Sequence, residues 1–506
     1  MQSDLQAWPR QRRIHLIPLI LALVLAGCAA TPQPLSLAER QATLAADRQL
    51  MFGSQEALTA PVTLQEAMAR ALKYNLDYRV KLMEEALSQR QLDLTSLDML
   101  PKLALAAGYT ARNKDNASSS QNVATGEQSL VPSISSEKRD RTADLNLSWN
   151  VLDFGVSYFS SRQQADRVLI LEQRKRKVAQ QLMQQVREAW WQAAGAQRLQ
   201  GRVDDLLKDA QSALEDARQV EKQKLRAPLD ALNYRRQLLD VIRQMTAVRN
   251  ALSQAKPRLA AIMNVSPGQD FQVAAPADMP VPALGLDVDR MEEMALLNRP
   301  EVVEAQYSSR ISALETRKAI AKLLPGLEFS VGQHYDSNKF LVNNSWSDAG
   351  LRISWNLLNL FSAGAITRAA DAQKRVGEAQ RLALNMAVLT QVHVAYLDFN
   401  GKTRQYELER ELNGVDQAIY QQTRNAVESG ASARLQGILA DANAVFSTLR
   451  LYQSYGDLQN AYGLMGASLG LDPLPATTRG YDLASLSQAL KGAETQWQGE
   501  VSGGKP

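Results

Sequence analysis

The sequence is poor in the residue types on which metal binding, disulfide bonding and many kinds of catalysis depend. It has one cysteine, Cys28, and three histidines among 506 residues, so an intramolecular disulfide is excluded. His15 lies in the N-terminal segment, His334 lies in an alternating stretch, and His393 has no second ligand four residues away, so no metal site has the usual spacing. No nucleophile motif or glycine-rich phosphate loop is present. We therefore expect no enzyme activity, no metal and no cofactor.

The charge of the chain is nearly balanced. The chain has 57 Lys and Arg against 53 Asp and Glu, a formal charge of +4. Residues 1–27 hold three arginines and one aspartate, a net of +2, so the rest of the chain carries +2. Nucleic-acid binding would need Lys and Arg clustered on one face. The composition gives no support to a nucleic-acid partner.

The N-terminus has the features of an export signal. Three arginines precede an apolar run over residues 14–26, which is too short for a comfortable membrane span and ends in the tetrad Leu25-Ala26-Gly27-Cys28. The tetrad resembles a bacterial lipobox, in which the cysteine is lipidated and becomes the first mature residue; the alternative is a buried core cysteine. By the same resemblance, Ala29 after the cysteine favours the outer membrane. We expect residues 1–27 to be removed, Cys28 to be lipidated, and residues 28–62 to form a tether.

The chain is an internal duplication. Ser148–Leu152 reads SWNVL, and Ser354–Leu358 reads SWNLL 206 positions later. Upstream, Leu100-Pro101 matches Leu324-Pro325 at an offset of 224, so the first copy holds 18 more residues in one loop. Repeats of this length are too long for solenoid units. The two halves are predicted to span residues 63–267 and 288–473.

Each half is predicted to hold helices around a β-hairpin. An apolar period of 3.6 predicts one helix from about Leu64 to Leu100, and the period changes to 2 after Pro101. Two long stretches without proline, 156–225 and 363–428, have coiled-coil spacing, and about 70 helical residues make a rod of roughly 105 Å. Each rod turns into a shorter helix, and the Gly- and Ser-rich residues 474–506 are expected to be partly disordered. The strands are predicted over about 102–111, 142–150, 326–335 and 349–356.

The four predicted strands each have one apolar and one polar face. This pattern also fits a soluble sheet with one wet face. The predicted export, the strand length and the lack of another strand set to pack against favour a transmembrane β-barrel. Four strands cannot close a barrel, and open edges are not tolerated in lipid, so several copies must contribute strands. The predicted membrane-interface aromatics at the strand ends are Tyr109, Trp149, Tyr335 and Trp355.

The lipobox, the duplicated order of helix, hairpin, long helix and short helix, and the SWN-x-L strand ends together resemble the TolC-type outer-membrane factors. These are the exit ducts of tripartite efflux pumps and type I secretion systems. The resemblance covers residues 63–473 and includes the half-repeat openings around Asn75 and Asn298-Arg299-Pro300. It implies a mainly α protein with a transmembrane β-barrel, in which each protomer of a homotrimer contributes four strands to a 12-stranded barrel above a periplasmic helical tunnel. It also implies two partners, a periplasmic adaptor (membrane fusion) protein and an inner-membrane transporter of the RND or ABC type.

The family's periplasmic entrance lies at a helix turn of the second half, where a glycine precedes a helix whose acidic residues narrow the pore. Gly430 matches the turn, but Gln436 and Leu439 stand at the acidic positions. This departure leaves a polar or apolar constriction, or one charged through Asp230, the first-half counterpart of Gln436. The aperture candidates are Gln436, Leu439, Asp230 and Arg434. The candidates for adaptor docking, which are otherwise ordinary solvated turns, are Lys222, Lys224, Arg226, Gly430 and Ser432.

Two functions remain open from the sequence. The first is a lipid-anchored outer-membrane channel that gives substrates a passive, water-filled path, with energy supplied by its partners. The second is a periplasmic coiled-coil scaffold or adaptor anchored by its lipid and without a pore. An adaptor would carry a compact Gly-rich β module between two helices, so the paired hairpins favour the channel.

Overall fold

The computed structural model describes residues 32–129, 131–223, 227–276, 278–431, 433–472, 474 and 480–502, without the side chains of 359 and 360. The predicted signal peptide and Cys28 lie outside these residues. The chain divides into two compact units, residues 1–55 and 56–506. The first unit contains helix α1, Leu37–Phe52, with no buried residue. A capping box between Ser36 and Glu39 starts this helix.

The second unit begins with two helices where the sequence predicted one. Helix α2 spans Leu64–Tyr74 and helix α3 spans Leu76–Leu97. Between them Asn75 has an extended backbone, and its side chain accepts a hydrogen bond from the N–H of Tyr78 (3.0 Å). An asparagine that caps a new helix competes with the continuing i→i−4 hydrogen bonds. The prediction of one helix from Leu64 to Leu100 is therefore wrong at this residue.

A long helical hairpin follows the first pair of strands. Helix α4 spans Val151–Lys222, 72 residues and therefore about 108 Å, and helix α5 spans Pro228–Ile262. Asn150 caps α4 by accepting from the N–H of Leu152 at 2.9 Å. The buried side chains of α5 recur in steps of three and four, which is the coiled-coil pattern. They are Leu238, Val241, Met245, Val248, Leu252, Ala255 and Leu259.

Three helices of the second repeat have the same lengths as their counterparts in the first, and the long helix of the second repeat is two residues shorter than α4. Helices α6, Val288–Asn298, and α7, Pro300–Ala321, match α2 and α3 residue for residue at an offset of 224. Helix α8 spans Asn359–Glu428, and helix α9, Arg434–Ser468, matches α5 at an offset of 206. After α5 and α9 the backbone turns left-handed at equivalent residues, Asn264 (φ 57°) and Gly470 (φ 72°). Both offsets noted in the sequence thus recur in the helix bounds.

The strands form one four-stranded antiparallel sheet of order β1-β4-β5-β6. The strands are β1 Lys102–Ala111, β4 Arg139–Asn150, β5 Gly326–Asp336 and β6 Ser345–Ser354. The register pairs Leu105 with Leu145 and Trp149 with Phe329. In the long first loop, β2 Ala117–Ser118 pairs with β3 Ser133–Ile134. β1 and β6 are the two edges of the large sheet.

The C-terminal region contains a helix that its composition did not predict. Residues 474–506 were expected to be partly disordered, but Leu483–Val501 form helix α10, capped by Asp482. Its apolar residues are buried, and Trp497 is only 2% exposed. The carboxylate of Glu494 accepts hydrogen bonds from Arg187 of α4 (3.1 Å) and Gln65 of α2 (2.8 Å). The Gly and Ser content of the segment suggested disorder, because the apolar stripe of α10 is buried only by helices that lie far away in sequence.

Aromatic residues organise the core where the two repeats meet. Trp191 packs edge to face on Tyr455 with ring centres 4.6 Å apart, and Tyr455 in turn contacts Tyr406. The hydroxyls of both tyrosines donate to carbonyls of the segment between the repeats, those of Met279 (2.6 Å) and Pro280 (3.1 Å). Burial raises the pKa of Tyr455 to about 12. The inter-repeat segment is thus held against the long helices of the second repeat.

Candidate functional site

The sheet exposes a broad apolar face. Odd-numbered residues of β1, such as Leu103 and Leu105, share this face with Leu145 and Leu147 of β4. Leu105 is 77% exposed, and Ile353 at the β6 edge is 69% exposed. A soluble sheet would cover this many large apolar side chains. Among the described residues, nothing buries them.

Three of the predicted interface aromatics, Tyr109, Trp149 and Tyr335, lie on this apolar face. The fourth, Trp355, follows the last residue of β6, and its indole N–H donates to the carbonyl of Leu323 at 2.9 Å. Tyr109 and Tyr335 lie near the loops, and Trp149 and Trp355 lie near the long helices. All four are between 42% and 62% exposed. Tyr109 pairs with Arg141, eight residues along β4 from Trp149, which is about 26 Å on an extended strand. This spacing matches the height of the apolar band of an outer-membrane barrel, roughly 25 Å.

The opposite face of the sheet is polar and carries a network across three strands. A ring nitrogen of His334 on β5 lies 2.6 Å from a carboxylate oxygen of Asp144 on β4, and the other nitrogen lies 3.4 Å from Asp348 on β6. Trp346 stacks on the imidazole at 5.2 Å. A side chain at Gly332 would meet the imidazole at 2.4 Å, so the glycine leaves room for this arrangement. His334 therefore lies on the polar face of the sheet, opposite Asp144.

The far end of the helices contains the two turns singled out in the sequence. Lys222 is the last residue of α4 and is exposed, and Gly430 turns the chain after α8 with a φ of 73°. A left-handed φ suits glycine because a Cβ would crowd the backbone. The candidates Lys224, Arg226 and Ser432 lie outside the described residues.

Arg434 ties the second-repeat turn to the first repeat. At the start of α9 its guanidinium donates to the carboxylate of Asp216 (2.8 Å) and to the hydroxyl of Ser212 (3.2 Å) on α4. Asp209 lies on the same face of α4, 3.9 Å away. Positions 209, 212 and 216 are one and two helical turns apart, so they form a stripe. Sequence reasoning found Arg434 but missed this stripe, whose i, i+3, i+7 spacing was its signal.

The other aperture candidates are not brought together with Arg434. Gln436 and Asp230 are exposed in the first turns of α9 and α5. Leu439 is partly buried and packs against the core of its own chain. The acidic residues placed beside α9 therefore come from α4, and Leu439 contributes to packing between helices.

A second cross-helix tie lies about two turns further along α9. The Arg202 guanidinium of α4 donates to Asp441 of α9 (2.8 Å) and to Gln417 of α8 (3.1 Å), and it lies over the Tyr420 ring at 4.7 Å. Burial raises the pKa of Asp441, and the charge and hydrogen bond of Arg202 oppose this rise. The three helices that meet near the second-repeat turn are thus joined by Arg202 and Arg434.

Comparison with known proteins agrees with this geometry. Residues 292–470 match the sequence model of the family described as Outer membrane efflux protein. No curated protein matches the chain. The chain is TolC-like in fold, and residues 292–470 are similar to the outer membrane efflux protein domain.

Solved outer-membrane channels share this fold over most of the chain. The CmeC channel of Campylobacter jejuni is 13% identical, with a TM-score of 0.64, covering 91% of this chain and 97% of that one. The MtrE channel of Neisseria gonorrhoeae, in its open state, is 15% identical with a TM-score of 0.60, covering 80% and 88%. VceC of Vibrio cholerae is 15% identical with a TM-score of 0.59, covering 80% and 96%. The TolC-like outline therefore includes both repeats, whereas the sequence match covers only the second.

Proposed function

We propose that this TolC-like chain is an outer-membrane efflux channel, a passive duct that leads substrates across the periplasm and the outer membrane. The main observation that supports this proposal is the open four-stranded sheet. One face of the sheet is apolar and exposed, the other face is polar, and both edges, β1 and β6, lack a neighbouring strand in the described part of the chain. In lipid each unpaired backbone group costs several kcal/mol, so the edges need partners.

A ring of identical copies supplies those partners. β6 of one copy would pair with β1 of the next in the same up-and-down alternation, and three copies would close twelve strands. The helices have matching edges. Exposed apolar residues run along α3 and α5 on one side and along α8 on the other, and a head-to-tail contact between these edges forms a ring when its rotation closes after three copies. The α3 and α5 set is Val80, Met83, Leu87, Leu229, Leu232 and Leu239; the α8 set is Leu382, Met386, Val394, Leu397, Leu408, Leu412, Val415 and Ile419.

Interchain cross-linking tests this ring. Val302 and Val388 share a buried cluster at one level of α7 and α8, and the offset of 224 equates residue 302 with 78 of α3. Met83 and Leu382 therefore lie at similar heights. Met83→Cys with Leu382→Cys in one chain should give covalent dimers and trimers, whereas Met83→Cys alone should not. Absence of interchain products from the outer-membrane fraction would contradict the ring and favour the lipid-anchored scaffold.

The duct has a lipid anchor and a gate in this proposal. Cys28, lipidated after removal of residues 1–27, holds the chain at the outer membrane. At the periplasmic end, the turns 222–229 and 427–434 would open and close the tunnel, and Arg434 would hold α9 against α4 in the closed form. The polar sheet face and the tunnel spare polar substrates the desolvation cost of crossing lipid.

Docking of a periplasmic adaptor at the same turns would connect the duct to an inner-membrane transporter of the RND or ABC type. Lys222 is exposed at the end of α4 and is available to an acidic surface. Lys222→Glu should lower export by cells that contain the whole system, because like charges would then oppose each other. The matched control is Lys208→Glu, because Lys208 is an exposed lysine about 20 Å back along α4. Equal effects of the two variants would contradict docking at the turn.

A further inference from the structure

A groove opens between α7 and the first third of α8, residues 361–384. At its base the two helices are in contact, because Val302 and Val388 are 3% and 2% exposed in one buried cluster. Above this base the helices separate around a groove of about 810 Å³. None of residues 361–384 is buried. The groove is thus a V-shaped opening in one helix pair.

The equivalent helix pair of the first repeat is closed. There α3 packs on α4, and the side-chain amide of Gln164 donates to the Ser88 hydroxyl at 3.2 Å and to Gln91 at 3.3 Å. Ser88 and Gln164 are 4% and 6% exposed. Below them Lys175 of α4 pairs with Glu85 of α3 at 2.9 Å. The first repeat therefore shows how this pair of helices packs when it is closed.

The two offsets identify the residues of the second repeat that are equivalent to the contact between α3 and α4. Adding 224 carries Ser88 onto Ser312 of α7, and adding 206 carries Gln164 onto Ala370 of α8. Both residues line the open groove. The residues that meet in one repeat thus face each other without contact in the other.

The walls of the groove are complementary in size and charge. Two turns nearer the base, the same register sets Ala305 opposite Gly377, and another turn down it sets Glu301 opposite Arg381. Small side chains let two helices approach closely, and an acid opposite an arginine is favourable at the surface. Among the described residues that line the groove, no hydrogen bond or ion pair joins α7 to α8. The facing side chains of α7 and α8 are complementary, but the two helices are separated by the groove.

We propose that the first third of α8 closes onto α7 when copies of the chain assemble, so that the groove is the open state of the separate protomer. Closure alone would bury mainly Ala, Gly and Ser side chains, which gain little from leaving water. The exposed Val376 and Leu382 on α8 gain cover only when a neighbouring copy supplies its α3. Assembly and closure are therefore coupled, and this inference rests on the ring proposed above.

Disulfide formation within one chain tests the closure. A disulfide requires Cα atoms within about 7 Å, and the only native cysteine, Cys28, lies at the N-terminus. Ser312→Cys with Ala370→Cys should cross-link in the assembled protein, as should Ala305→Cys with Gly377→Cys. Ser312→Cys with Gly377→Cys is the control, because it is out of register by seven residues, about 10 Å. Tryptic fragments joined by the disulfide are the readout.

A monomeric form supplies the other half of the test. Met83→Asp on α3 places a charge on the edge that receives the neighbour and is distant from the groove of its own chain. In this background we expect the yield of both in-register cross-links to fall at least tenfold. Equal yields in monomer and trimer, or no in-register cross-link in a trimer of verified mass, would overturn the inference. A wild-type chain that forms no trimer would instead refute the proposed function.

Discussion

Removal of the Arg434 side chain should shift the periplasmic end toward the open state. Arg434 holds Asp216 at 2.8 Å and Ser212 at 3.2 Å, but it is 44% exposed and Asp216 is 68% exposed. An exposed ion pair of this kind contributes roughly 0.5 to 1 kcal/mol. If three copies open together, Arg434→Ala removes about 1.5 to 3 kcal/mol from the closed state, which is roughly a 10- to 150-fold change in the ratio of open to closed channels.

The assay is single-channel recording in a planar bilayer, which gives the fraction of time spent open. Arg424→Ala is the matched control. Arg424→Ala removes the same charge near the same end, but the Arg424 ion pair, at 2.9 Å, is with Glu428 of its own helix and does not join two helices. High salt should reduce the difference between wild type and Arg434→Ala, because it screens the pair. Identical open fractions for Arg434→Ala and Arg424→Ala would show that Arg434 does not hold the channel closed.

Three further changes probe the sheet, a helix end and a buried acid. Leu105→Arg on the apolar sheet face should lower the free energy of unfolding in bilayers by about 2 to 4 kcal/mol. Asn146→Arg on the polar face should change it little, and equal losses for the two variants would contradict a lipid-facing surface. Gly470→Ala should lower the melting temperature more than Gly268→Ala. Both glycines have positive φ, but only a Cβ at 470 meets backbone atoms, at 2.5 Å. Equal shifts in melting temperature would show that this steric clash has no effect on stability. Because burial raises the pKa of Asp441 above its usual 3.8, the folded state binds the proton more tightly than the unfolded chain, so stability relative to Asp441→Asn should fall as pH rises from 3.8 through the folded-state pKa. If urea titrations showed the stability relative to Asp441→Asn rising with pH over that window, the raised pKa of Asp441 would be contradicted.

Regular patterns in the sequence predicted most of the fold. The two offsets placed equivalent helices, and the alternation from Leu103 to Tyr109 placed each side chain of β1 on a face. These predictions succeeded because each depends on a local period or on an internal copy. The helix break at Asn75 was missed because an asparagine side chain can either cap a new helix or face solvent on a continuing one, and the apolar period is the same in both cases.

Contacts between distant segments could not be read in this way. Trp497 and Glu494 are buried only because α10 meets α2 and α4, more than 300 residues away in sequence. Arg434 was identified by its place after the turn, but its carboxylate partner follows from the packing of α9 on α4. The groove beside Ser312 is a difference between two repeats whose sequences predict the same packing.

Single-channel conductance of the purified full-length protein, with the mass of the same preparation, tests directly whether the chain forms a trimeric channel. We expect discrete conductance steps in a planar bilayer from a species of three times the mature chain's mass. A well-folded monomer without conductance would contradict the channel and leave a lipid-anchored coiled-coil scaffold as the better description of this chain.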